Sequence, residues 1–229
     1  LRAEWMMEAL RLRVNEIEKT EALTRMEEVI SNEITGKVQK QKSLSYLKQV
    51  WLLPSPTFPE LQQSGLEIFK QSTDRQTACL LSYFMTIATF PFTRSVVEAC
   101  GQLQRLQGAV KMEQLKRKVA AIYGERERTL RGVRYVIYLL NSLGIVSAPE
   151  KKGFYQAGKF NLNSKELASF AVKTVLFSLD KRDGMGRSEL ERQPIFFAFD
   201  GQKVSEVPKD KFDIKLDYVI TEKNIYKFE

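Results

Sequence analysis

The chain has 229 residues, 43% of them hydrophobic, and a formal net charge of +8. That length and apolar content suit one large domain or two small ones around a substantial core. Two cysteines are too few for a disulfide framework, and with no histidine the usual zinc, haem and triad chemistries lose their commonest residue, so neither a metal nor another cofactor is expected.

The opening Leu-Arg-Ala-Glu-Trp lacks both an initiating Met and the basic-then-apolar pattern of a signal peptide, which predicts a chain that begins inside a longer protein. The next 50 residues read as helix, with charges of both signs between Leu10, Val14, Ile17, Met26, Val29 and Ile30. Gly36 offers a break before a second helix at about Ser43 to Leu53. Three prolines in Leu53-Pro-Ser-Pro-Thr-Phe-Pro59 then exclude helix interior, because each removes a backbone donor and pushes its predecessor toward extended geometry. A short helix follows at about Glu60 to Lys70, and a very apolar one from about Asp74 to Phe90. The run Ala78 to Phe92 is too short and too rich in hydroxyls for a bilayer span, so no membrane partner is expected. Ser95 with Glu98 resembles a capping box opening a helix to about Leu106, closed by Gly108. Cys79 and Cys100 on these helices read as small core residues, and Trp5 and Trp51 as packing anchors. A reducing cytosol is the expected compartment.

From Lys111 the character changes. Residues 1–110 hold 13 Lys/Arg against 12 Asp/Glu, residues 111–173 hold 13 against 5, and residues 174–229 hold 10 against 11. The whole excess therefore sits in the middle segment, and a localised basic patch points to a polyanionic partner. Within it Met112, Leu115, Val119 and Ile122 recur at helical spacing beside Lys116-Arg117-Lys118, and Tyr123-Gly124 supplies a turn. A second helix is expected from about Glu125 to Leu143, with Gly144 just beyond its end where the backbone needs positive φ. On a helical wheel Leu130, Val133, Ile137 and Leu140 form the core-facing stripe, and Arg128, Arg131, Tyr135 and Tyr138 stand opposite, with Arg134 on the flank. Glu125 and Glu127 stay in the first turn, where the helix dipole favours them, so the outward face is read as arginine and tyrosine only. Guanidinium forks bind phosphate and guanine bidentately, and tyrosine donates to phosphate while its ring packs on sugar. The competing account is packing against the rest of the chain, with arginine stems covering apolar surface.

Ile145-Val146-Ser147, the turn Pro149 to Gly153 and Phe154-Tyr155 read as a hairpin tipped by Lys151 and Lys152. Asn163 with Glu166 suggests a capped helix through Leu167, Phe170, Thr174 and Phe177 to about Asp180. The segment Asp180 to Gly186 fits neither a calcium loop nor a phosphate loop and reads as a connector. Pro194 to Phe199 leads into an Asp200-Gly201 turn; Phe212, Ile214, Leu216, Tyr218 and Ile220 alternate as a strand, and Glu222-Lys223-Asn224 turns into a last one ending at Phe228. The fold class expected is mainly α with a small β portion: a helical body over 1–108, a basic module over 109–160, and a helix plus antiparallel β unit over 161–229.

A basic helix, a turn, an arginine-bearing helix ending in Leu143-Gly-Ile-Val146 and a lysine-tipped hairpin resemble, in layout, the winged helix-turn-helix DNA-binding domains over about Gln102 to Ala157. The resemblance implies a second helix in the major groove of double-stranded DNA, through Arg128, Arg131, Arg134 and Tyr135 with Tyr138 on the same face. It puts Lys151 and Lys152 at the wing tip and Lys116, Arg117 and Lys118 on phosphates. The helix is longer than most recognition helices and lacks a Ser or Thr N-cap. With Leu44-Ser-Tyr-Leu47 and Phe90-Pro-Phe-Thr-Arg94, the same helix is also similar to BrxA-type accessory proteins of bacterial BREX phage-defence systems. That likeness implies a cytoplasmic, non-catalytic DNA-binding component beside larger defence proteins. Two alternatives stand against it. One is a protein-interaction adaptor whose basic face meets an acidic partner; the other is a metal-dependent nuclease using Asp200, Asp213 and Lys215, two carboxylates for Mg²⁺ and a lysine for water. A basic helix by itself also leaves RNA open as the polyanion.

Overall fold

A computed structural model describes residues 1–147, 153–158 and 164–179, together with the backbone of 218–220 and 225–227. Lys151, Lys152, Asn163, the Asp180 to Gly186 segment, Asp200, Asp213 and Lys215 lie outside the described residues. Helices α1 (Ala3–Val14), α2 (Lys19–Ser31), α3 (Lys37–Leu47), α4 (Pro59–Gln71) and α5 (Arg75–Thr89) come first. They are followed by α6 (Pro91–Gln107), strand β1 (Val110–Lys111), α7 (Met112–Tyr123) and α8 (Glu127–Ser142). Strands β2 (Val146–Ser147) and β3 (Phe154–Ala157), helix α9 (Lys165–Ser178) and the pair β4 (Tyr218–Ile220) and β5 (Ile225–Lys227) complete the order. The protein is thus mainly helical, with small antiparallel sheets.

The opening stretch holds more breaks than its charge pattern suggests. Glu16 adopts φ 55°, and the Glu18 carboxylate accepts hydrogen bonds from the Thr20 and Glu21 amides, so α1 and α2 are separate helices. Gly36 starts α3, as expected for a break, and the helix then widens into a π-helical turn at Lys48–Leu52 before the prolines. Buried Gln62 holds this turn. Its amide donates to the Val50 and Leu53 carbonyls at 2.8 and 2.9 Å and accepts from the Ser55 amide at 2.9 Å.

Helix α5 is the axis of the body: every residue from Ala78 to Ala88 is buried. Helices α1, α4, α6 and α9 pack around it. Trp5 and Trp51 are buried anchors, the Trp51 indole donating to Ser82 Oγ at 3.1 Å and the Trp5 indole to Glu33 at 3.0 Å. Cys79 and Cys100 lie in the same core. Among the described residues no helix is long and apolar enough to cross a membrane.

Two caps differ from the sequence reading. Ser95 does not open α6, because Pro91 takes the first helical position, where its missing N–H costs nothing. Ser95 instead sits inside the helix with its hydroxyl on the Pro91 carbonyl and on the Tyr123 hydroxyl. Helix α9 is capped by Ser164, which accepts from the Leu167 amide at 3.0 Å, one residue beyond the Asn163 expected.

Residues 91–157 run helix, strand, helix, helix, strand, strand. The short strand β1 was not foreseen; it pairs with β3 through Val110↔Tyr155 and Lys111↔Phe154, and β3 pairs with β2 through Val146↔Ala157 and Ser147↔Gln156. The sheet order is therefore β1-β3-β2, antiparallel throughout. Gly124, between α7 and α8, has φ 83°, and Gly144 after α8 has φ 76°, the left-handed geometry expected there. Val133, Ile137 and Leu140 are buried on α8 as expected, together with Thr129, Val136 and Leu139, whereas Leu130 is only half-buried. On α7, Leu115 and Val119 are buried but Ile122 is bare.

Candidate nucleic-acid interface

Two features set the orientation of α8. Its Gly132 lets the Phe92 ring of α6 approach so closely that a Cβ would lie 2.9 Å from it, and Phe92 in turn packs edge-on against Tyr123 of α7. At the far end Ser142 Oγ accepts the Ala3 amide of α1 at 2.8 Å, which ties down the last turn. The open part of the helix is consequently its first three turns.

That part carries Arg128, Arg131, Arg134, Tyr135 and Tyr138, all exposed, with the two tyrosines 64% and 58% accessible. The described chain leaves this face uncovered. Arg128 makes no hydrogen bond or ion pair with a described residue. Arg131 approaches the Glu127 carboxylate at 3.6 Å, so the face is not purely arginine and tyrosine. The first turn of α8 has no side-chain cap, which leaves its amides pointing outward.

The three basic residues of α7 part company. Lys116 is only 16% exposed and pairs with Glu113 at 2.5 Å, and Lys118 donates to Gln102 at 2.7 Å. Arg117 is exposed and makes no ion pair with a described residue. The hydrogen bond from Lys116, with the nearby Arg117 and Arg134 charges, holds the Glu113 carboxyl below its ordinary pKa. Glu113 thus remains a fixed negative charge at the edge of the patch.

Between α8 and the sheet lies an open cleft of about 480 Å³ lined by Lys111, Glu113, Arg134, Tyr138, Phe154 and Tyr155. The Lys111 ammonium lies 5.3 Å from the centre of the Phe154 ring. Burial, and then the neighbouring Tyr138, raise the pKa of the Tyr155 hydroxyl, so both phenols stay protonated donors at neutral pH. Lys111 and Tyr155 escaped the sequence reading because β1 has two residues, too few to show alternation. Glu127 was visible there but was assigned to the helix dipole rather than to Arg131. Among the described residues no group of three or more acidic or cysteine side chains is placed to hold a metal ion.

No family model matches the chain, and neither a curated protein nor a solved structure shows detectable similarity to it.

Proposed function

We propose that residues 91–157 form a winged helix-turn-helix that binds double-stranded DNA without catalysis, with α8 in the major groove and the β2–β3 hairpin as its wing. The observation that carries this reading is the outward face of α8: three arginines and two tyrosines, exposed, beside a hairpin, in the basic third of the sequence. The strand order β1-β3-β2 around the helices supports it, since that sheet holds the hairpin beside α8. Arg128, Arg131, Arg134, Tyr135 and Tyr138 face the groove, and Arg117 with Lys151 and Lys152 meets phosphates. Lys116 and Lys118, already engaged within the fold, contribute less. The likeness to BrxA-type proteins supports an accessory role in a bacterial phage-defence system, working in the cytoplasm beside larger partners.

The test is fluorescence anisotropy with random duplex DNA, single-stranded DNA and RNA at two salt concentrations. Neutralising about five phosphates predicts a log–log salt slope of about −4.5 on duplex. Arg128→Ala/Arg131→Ala together should weaken duplex binding by at least tenfold and flatten the slope by about two units. A salt-independent signal, or tighter binding to RNA, would reject the duplex reading. A second reading, an adaptor for another protein, is favoured by the bare apolar side chains Leu106 (78% exposed) and Ile122 (67%) on α6 and α7. An adaptor has no DNA binding for the arginine substitutions to remove.

A further inference from the structure

We propose that Arg131 and Glu127 act together as the reader of one G·C base pair, which makes Arg131 the specificity-determining residue of the α8 face; the proposal rests on the duplex-binding reading. Arg128, Arg131 and Arg134 are spaced three residues apart. At about 100° per residue, Arg128 and Arg134 stand about 60° to either side of Arg131. In a groove about 12 Å wide, the central side chain of such a fan meets the base edges and the outer two meet the phosphate walls.

Charge separates the three in the same way. Arg128 makes no ion pair with a described residue and is available to a phosphate. Arg131 lies 3.6 Å from a carboxylate that more than half faces solvent, and that carboxylate repels phosphate. A base-pair edge offering acceptors beside a donor suits the couple better. In the major groove guanine presents O6 and N7 to a guanidinium, while the paired cytosine presents an N4 amino group to a carboxylate. An A·T pair lacks the two adjacent acceptors that a guanidinium fork spans. Among the described residues, no asparagine or glutamine occupies the open turns of α8 to read adenine.

The test is selection from a random duplex pool by wild type and by Arg131→Lys, a substitution that keeps the charge and, at an exposed site, the fold. Wild type should enrich a G at one position and, at that position, prefer G·C over A·T on the order of ten- to a hundredfold. Arg131→Lys should lose that preference while holding A·T duplexes about as tightly as wild type. Replacing the selected guanine by 7-deazaguanine, which lacks the N7 acceptor, should weaken wild type about tenfold and leave Arg131→Lys unchanged. Glu127→Gln should tighten binding to every duplex and narrow the preference. Duplex binding with no base enrichment, or the same enrichment with lysine at 131, would overturn the proposal and leave the DNA-binding reading standing. Failure of wild type to retain any duplex would overturn both.

Discussion

Gly65 and Gly132 occupy positions where an aromatic ring fills the space a side chain would need. At Gly65 a Cβ would lie 2.8 Å from the Trp51 ring and 3.2 Å from that of Phe170, both fully buried and unable to yield. At Gly132 the obstacle is Phe92, which is half-buried and has solvent to move into. Alanine in a helix interior gains about 1 kcal/mol over glycine, and overpacking costs about 1–3 kcal/mol. Gly65→Ala should therefore be net destabilising by about 1–2 kcal/mol in urea denaturation, and Gly132→Ala close to neutral in stability. The Gly132 variant should instead tilt α8 and weaken duplex binding several-fold, read by anisotropy. Equal losses of stability at the two sites would show that Phe92 is as rigidly held as Trp51. At this scale the sequence showed which α8 residues face outward, since opposite sides of one wheel suffice for that. It did not show Gly132 as a contact, because the ring it meets comes from a helix some forty residues earlier.

Elements were legible where local chemistry alone decides them. Asp74 caps α5 as the sequence suggests, and Gly108 and Gly144 end their helices with positive φ because only there is a left-handed residue needed. Strand β1 and the π-helical turn were not legible, since both depend on partners distant in the chain: β1 on β3, the turn on Gln62. A π-helical turn leaves carbonyls without the usual i+4 donors, and the Gln62 amide satisfies two of them from α4. Gln62→Glu keeps the acceptor for the Ser55 amide but loses both donors and buries a carboxyl among carbonyls. It should cost at least about 2–3 kcal/mol at pH 7. Because a carboxyl in that setting has its pKa raised on folding, the variant binds a proton more tightly when folded, and the loss should shrink as pH falls toward 4. A penalty independent of pH would mean that water has replaced the lost donors.

At the scale of the molecule, one core joins the body to the helices beneath the basic face. Helix α6 lends Val96, Val97, Cys100 and Leu103 to it, and Leu115, Val119, Val133 and Ile137 of α7 and α8 belong to the same cluster. Helix α9 closes the other side: Phe170 is buried against Phe84 at a centroid distance of 6.5 Å, Phe177 reaches Phe58 at 6.0 Å, and Arg94 of α6 donates to the Ser178 carbonyl at its end. If this core opens as one unit, a cavity near α4 should loosen α5 and α6 alike. The two thiols report that, since burial places Cys79 in α5 and Cys100 in α6 out of reach and raises the pKa of each. Phe170→Ala removes a fully buried ring and should cost about 3–5 kcal/mol. When closing outpaces labelling, modification by a disulfide reagent tracks the open population. The substitution should then accelerate labelling at both cysteines by the same factor, on the order of 10² to 10³. Acceleration at Cys79 alone would mean that α5 opens with α9 while α6 stays folded with the helices that carry the arginine face.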